Sequence, residues 1–135
     1  MMPARGGGCR CGAIRYEVNG EPVAGVACHC RDCQYVSGGG ANHSMVFGRA
    51  GFAVVKGMPK VYKARSGCGG SFFCDACGVQ LFSQPDSNPG LVAIKVGSLD
   101  DSSDYRVQAD IWMASAPVWH RPHEGAKRVE GNLTG

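Results

Sequence analysis

Three cysteines fall within six residues in Cys28-His29-Cys30-Arg31-Asp32-Cys33. Zinc takes thiolate sulfur at about 2.3 Å in tetrahedral geometry. A C-x-C-x-x-C run can present three such sulfurs from one short loop, leaving a fourth position to fill. A structural site closes that position with protein, and a catalytic site leaves it to water or substrate. The other five cysteines bear on the choice. Cys9 and Cys11 form a C-x-C pair between glycines, and Cys74 and Cys77 form a C-x-x-C pair followed by Gly78. The second pair is the sequence of a tight knuckle whose backbone N–H groups can point at the sulfurs. Neither pair closes a zinc site alone. Seven cysteines thus make two pairs and a triplet, and Cys68 is left over as a spare thiol in a glycine-rich stretch.

An even count of cysteines in a secreted chain suggests disulfides, whereas clustered C-x-C and C-x-x-C spacings in a reducing compartment suggest metal. Met1-Met2-Pro3-Ala4-Arg5 lacks the apolar segment of a signal peptide, and no apolar run approaches the roughly 18 residues of a membrane helix. A cytoplasmic location is therefore expected, with no membrane partner. The formal charge of +3 does not mark a basic surface, because seven thiolates holding two Zn²⁺ ions bring it to zero. Lys56, Lys63, Arg65 and Lys95 read as scattered charges, and no basic stripe with interleaved aromatics points to nucleic acid.

Positioning these thiols falls to short strands. Glycine supplies 21 of the 135 residues, about twice its usual share, and with seven prolines it favours strands and turns over long helices. Ile14, Tyr16 and Val18 alternate with charged residues as a half-buried strand does. Residues 23–27 read as a strand feeding the triplet loop, and residues 34–37 as one helical turn stopped by Gly38-Gly39-Gly40. Further strands are expected over 41–47, 52–56, from Val61, over 80–83 and over 91–96, with a last long strand over 105–113. Residues 85–90 form a turn-rich loop, residues 100–104 a solvated acidic loop, and the polar stretch 121–135 a loose tail. No repeat or linker divides the chain, so residues 1–135 read as one all-β domain with its core over about 6–120. Trp112 and Trp119 are assigned to core packing, and His43 to a half-buried strand position. The sequence is silent on oligomeric state.

In order, the chain carries G-G-C-x-C-G, C-H-C-x-x-C, F-C-x-x-C-G, V-G-S-L-D-D and A-P-x-W. This set resembles the glutathione-dependent formaldehyde-activating enzyme family, which includes the centromere protein V domain, over about residues 6–120. The resemblance implies small antiparallel sheets in a tent-like arrangement, with zinc knuckles and few or no helices. It also implies two zinc ions: one structural, closed by Cys9, Cys11, Cys74 and Cys77, and one on Cys28, Cys30 and Cys33 with an open position. The family's reaction joins glutathione to formaldehyde as S-hydroxymethylglutathione, and its members are classed as carbon–sulfur lyases. The expected substrates are accordingly a small thiol such as glutathione and an aldehyde. Cys28, Cys30 and Cys33 would carry the chemistry, with Arg31, Gly38 and Gly39 as contacts for the bound molecule. His29 would turn its side chain away from the metal. The competing reading is a zinc-stabilised binding module without turnover, which a protein side chain in the fourth position would favour.

Overall fold

A computed structural model describes residues 4–86 and 88–132. Met1-Met2-Pro3, Ser87 of the expected loop and the last three residues of the expected tail lie outside the described residues. The chain runs β1 (Arg5–Gly8), β2 (Arg15–Val18), β3 (Ala24–Cys28), α1 (Arg31–Ser37), β4 (Asn42–Gly48), β5 (Phe52–Lys56) and β6 (Lys60–Tyr62). It continues as β7 (Ser71–Phe73), β8 (Gln80–Ser83), β9 (Leu91–Lys95), β10 (Ala109–Ile111) and β11 (Lys127–Arg128). The fold is all-β, and α1 is the one α-helix among the described residues. One sheet has the order β1-β2-β5, and the other β11-β10-β3-β4-β9-β8-β7-β6.

The two sheets meet over one core. Tyr16 and Val18 of β2, Phe47 of β4, Leu81 of β8, and Val92 and Ile94 of β9 are all fully buried in it. Side chains of this kind contribute about 1.5–3 kcal/mol each when taken out of water. The alternation that marked β2 is what aims Tyr16 and Val18 inward and leaves Glu17 in solvent. Tyr16 spans the layers, its hydroxyl 2.7 Å from Ser98 Oγ. Gly7 of β1 must be glycine for this reason: a Cβ there would sit 2.3 Å from the Tyr16 ring and 2.5 Å from the Ser98 carbonyl. At the rim, Arg5 pairs with Asp104 at 2.8 Å and Arg15 with Asp100. The acidic loop expected to be merely solvated is thus tied to the small sheet.

Several expectations are corrected. The strand expected over 105–113 spans only Ala109–Ile111, as β10, and runs parallel to β3 and to β11, so the pairing is not antiparallel throughout. Its expected first half leaves the ladder because Tyr105 donates its hydroxyl to the Val26 carbonyl at 2.7 Å, and Gln108 Oε1 accepts from Gly25 N–H at 2.8 Å. Trp112, in the left-handed region at φ 58°, ends the strand. The stretch from residue 121 is docked rather than loose through residue 132. Lys127 N–H donates to the Gln108 carbonyl at 2.8 Å, Val129 N–H to Asp110 at 2.9 Å, and Trp112 N–H to Gly131 at 2.9 Å. Backbone pairing holds this segment, and it leaves no apolar periodicity to read. Trp112 and Trp119 are not core residues, being 39% and 63% exposed.

Candidate metal centres and the polar network beside them

The turn after β1 carries Cys9 and Cys11, and the turn between β7 and β8 carries Cys74 and Cys77. The four sulfurs lie within 4.8 Å of one another. Cys9 and Cys11 are 3.6 Å apart, and Cys11 and Cys74 3.8 Å. A tetrahedron with 2.3 Å zinc–sulfur bonds has edges of about 3.8 Å. A disulfide would need about 2.05 Å, and all eight cysteines are free. Around Cys74 the chain folds as the expected knuckle: Gly78 N–H donates to the Cys74 carbonyl at 2.8 Å, and Cys74 N–H to Val79 at 3.0 Å. Ile14 N–H lies 3.3 Å from Cys9 Sγ. Backbone hydrogen bonds from Val79 and Cys11 lower the Cys77 thiol to about 6. Ala13 N–H favours the Cys11 thiolate, but the neighbouring Cys9 sulfur and burial push Cys11 up to about 11. Four thiols this close cannot all ionise unaided, and a divalent cation held among them would supply the missing charge.

The second cluster forms where β3 gives way to α1. Cys28 ends β3, Cys30 caps α1, and Cys33 lies in its first turn. Their sulfurs also lie within 4.8 Å of one another, with Cys28 and Cys30 at 3.4 Å. Cys33 N–H faces Cys30 Sγ at 3.4 Å, the capping contact that starts the helix at Arg31, ahead of the expected turn. Asn42 of β4, opposite Cys28 in register, reaches Cys33 Sγ with its amide at 3.8 Å. Hydrogen bonds from Cys28 and Cys33 hold the Cys30 thiol far below the usual range, while the same sharing pushes Cys28 up. Cys28 favours the Cys33 thiolate, but Cys30 and burial outweigh it and push Cys33 up to about 11. Among the described residues this group offers three metal ligands and the other four. Cys68 belongs to neither group.

The sequence reading missed what surrounds His29. This side chain is 2% exposed, and both ring nitrogens are engaged: Nε2 with Asp110 Oδ1 at 2.8 Å and Nδ1 with His120 Nδ1 at 2.9 Å. It therefore turns away from the neighbouring thiols. Asp110 also accepts from the His123 ring at 2.8 Å and its backbone N–H at 2.6 Å. Burial works against the Asp110 carboxylate, yet these donors hold its carboxyl below the usual range. His120 Nε2 completes the chain by donating to the Gly39 carbonyl at 2.9 Å. Gly38 and Gly39, with φ of 87° and 128°, stop α1 and turn that carbonyl toward His120. The network thus links the triplet loop to the glycine turn. His29, His43, Trp119, His120 and His123 border a groove of about 310 Å³ that includes Gly40. His43 Nδ1 lies 3.0 Å from the Tyr105 hydroxyl, and burial followed by the nearby His123 holds its imidazole below the usual range. Arg31 is exposed and lies along α1, bonded to Gln34 and 4.8 Å over the Tyr35 ring. Histidines spread over 29, 120 and 123 with an aspartate at 110 share no spacing, so only the fold gathers them.

The fold and site define a β-rich protein with two thiol clusters that could each hold a metal ion. The family described as glutathione-dependent formaldehyde-activating enzyme matches residues 4–115, and the chain belongs to it. Its fold is similar to that of a Rhodobacter sphaeroides protein of known crystal structure. The TM-score is 0.63 at 24% identity, covering 73% of this chain and 91% of that one.

Proposed function

We propose that this chain is a zinc enzyme of the carbon–sulfur lyase type, acting on a small thiol such as glutathione and on an aldehyde such as formaldehyde. The observation that carries the reading is the contrast between a four-sulfur cluster and a three-sulfur one. In this reading Cys9, Cys11, Cys74 and Cys77 hold a structural zinc, and Cys28, Cys30 and Cys33 hold a second with an open position. Zinc at the triplet supplies a Lewis acid that favours a thiolate at neutral pH and polarises a carbonyl.

The chain's own residues do the rest. Addition forms one sulfur–carbon bond, and the carbonyl's second bond becomes an oxygen–hydrogen bond. The thiol proton must therefore travel from sulfur to oxygen. His43, between Asn42 and Ser44 of β4, faces away from the triplet toward Tyr105 and His123 and takes no part in that transfer. The groove beside His29 offers room for the non-reacting part of the thiol, with Trp119 and Gly40 in its walls. Asp110 and His120 keep His29, and with it the loop between Cys28 and Cys30, in one position. The eight free thiols fit a reducing cytoplasm.

Cobalt in place of zinc tests this, because its visible absorption reports its ligands. Titrating glutathione should add sulfur-to-metal charge transfer from the triplet and leave the four-sulfur cluster unchanged. A spectrum indifferent to every small thiol would favour the binding module instead.

A further inference from the structure

Lys95 is a buried charge that belongs to neither thiol cluster nor the histidine network. It closes β9 at 8% exposure, where an ammonium is costly without a counter-charge. Its Nζ finds only hydroxyls, Ser83 Oγ at 3.2 Å and Ser44 Oγ at 3.4 Å. Among the described residues no carboxylate lies within ion-pair distance of it. Opposed residues in a ladder share a face, as do alternate residues of one strand. Cys28 opposes Asn42, Ser44 opposes Lys95, and Ser83 opposes Ala93, so these polar side chains form one row across β3, β4, β9 and β8. The row starts at the triplet. Burial holds the Lys95 ammonium below its usual range, and the triplet thiols are the anions whose field works against that by favouring its charged form.

We propose that Lys95 is the built-in counter-cation of the Cys28–Cys30–Cys33 centre, a positioning residue that matches the site to one bound anion. The inference rests on the reading that the triplet holds a divalent metal. Three thiolates around such an ion leave a charge of −1, which Lys95 brings to zero. A thiolate in the open position then makes the ensemble −1 rather than −2. Arg31, by contrast, lies along α1 with its guanidinium on Gln34 and over the Tyr35 ring. Lys95 also restricts the occupant to a neutral molecule or a single anionic sulfur.

The test uses Lys95→Met, which removes the charge and keeps the apolar stem, and Lys95→Gln, which keeps a hydrogen-bond donor. Zinc is withdrawn from the full-length protein by a chromophoric chelator, which resolves a tight and a weaker ion. Both variants should hold the weaker ion about tenfold or more less tightly, the scale of one lost unit charge at an effective dielectric near 20. The tighter ion should be unchanged. In a Cys33→Ser background the anionic centre is gone and Lys95 becomes an uncompensated buried charge. There Lys95→Met should raise Tm. Affinity for the weaker ion within twofold of wild type would overturn the inference while leaving the metal reading intact. Equal loss of both ions, with a lower Tm in the Cys33→Ser background, would make Lys95 a plain packing residue. Wild-type protein that releases only one ion would remove the metal reading and this inference together.

Discussion

The two clusters should differ in what they contribute to folding, and Cys74→Ser against Cys33→Ser measures the difference. Cys11 and Cys74 are 63 positions apart, so a metal held by both closes a long loop between the two sheets. In the chain-entropy account a closure of that length stabilises by about 4 kcal/mol. Cys28 and Cys33 are five positions apart, and closing so short a loop gives about 2 kcal/mol on the same scale. Cys74 is also 1% exposed within the main core, so a serine there adds the cost of a buried hydroxyl. At about 3–5 °C per kcal/mol for a domain of this size, Cys74→Ser should lower Tm by about 12–20 °C or leave no folded protein. Cys33→Ser should lower it by about 6–10 °C and retain one metal ion. Scanning calorimetry with elemental analysis of the same samples reads both quantities. Equal losses, or a larger loss from Cys33→Ser, would refute the division into a structural and a functional centre.

Cys68→Ser should keep both metal ions and stay within a few degrees of the wild-type Tm, since Cys68 belongs to neither group; release of one ion on this change would show that it is a ligand. Asp110→Asn should lower stability by about 1–3 kcal/mol at pH 7, because an amide can keep Oδ1 for the His29 and His123 rings but puts a donor where Oδ2 accepts from the His123 backbone N–H. The sign follows from a carboxyl held below its usual range: its contribution is full above about pH 4, where the unfolded group ionises, and is lost as pH falls further. Urea midpoints from pH 7 to 3 should therefore show the gap between wild type and Asp110→Asn closing in acid. A gap that stays constant over that range would mean that the carboxylate's charge is not what Asp110 contributes.

What could be read from the sequence divides along a physical line. Local patterns carried through: the alternation of β2, the span of β5 over Phe52–Lys56, the span of β8 over Gln80–Ser83, and the knuckle at Cys74–Gly78. The grouping of seven thiols was equally legible, because they stand at short, rigid spacings in the chain. What escaped was held by long-range polar contacts, whose members carry no periodic mark. Asp110 lies 81 positions from His29, yet the parallel pairing of β10 with β3 sets it beside that loop. Trp119 resembles a core residue by type, but the segment 117–120 crosses the surface and leaves its ring over the glycine turn.

Lys95 shows most clearly why composition misled. In Leu91–Lys95 the alternation puts Val92 and Ile94 on the core face, so a lysine on the other face reads as solvent-facing. That inference holds when the second face of a sheet is wet. Here the other face of β9 continues the row that begins at Cys28, and Lys95 is buried there among hydroxyls. A strand buried on both faces with a cation on one of them calls for an anion nearby. The thiol triplet, once it holds its metal, supplies one without any carboxylate.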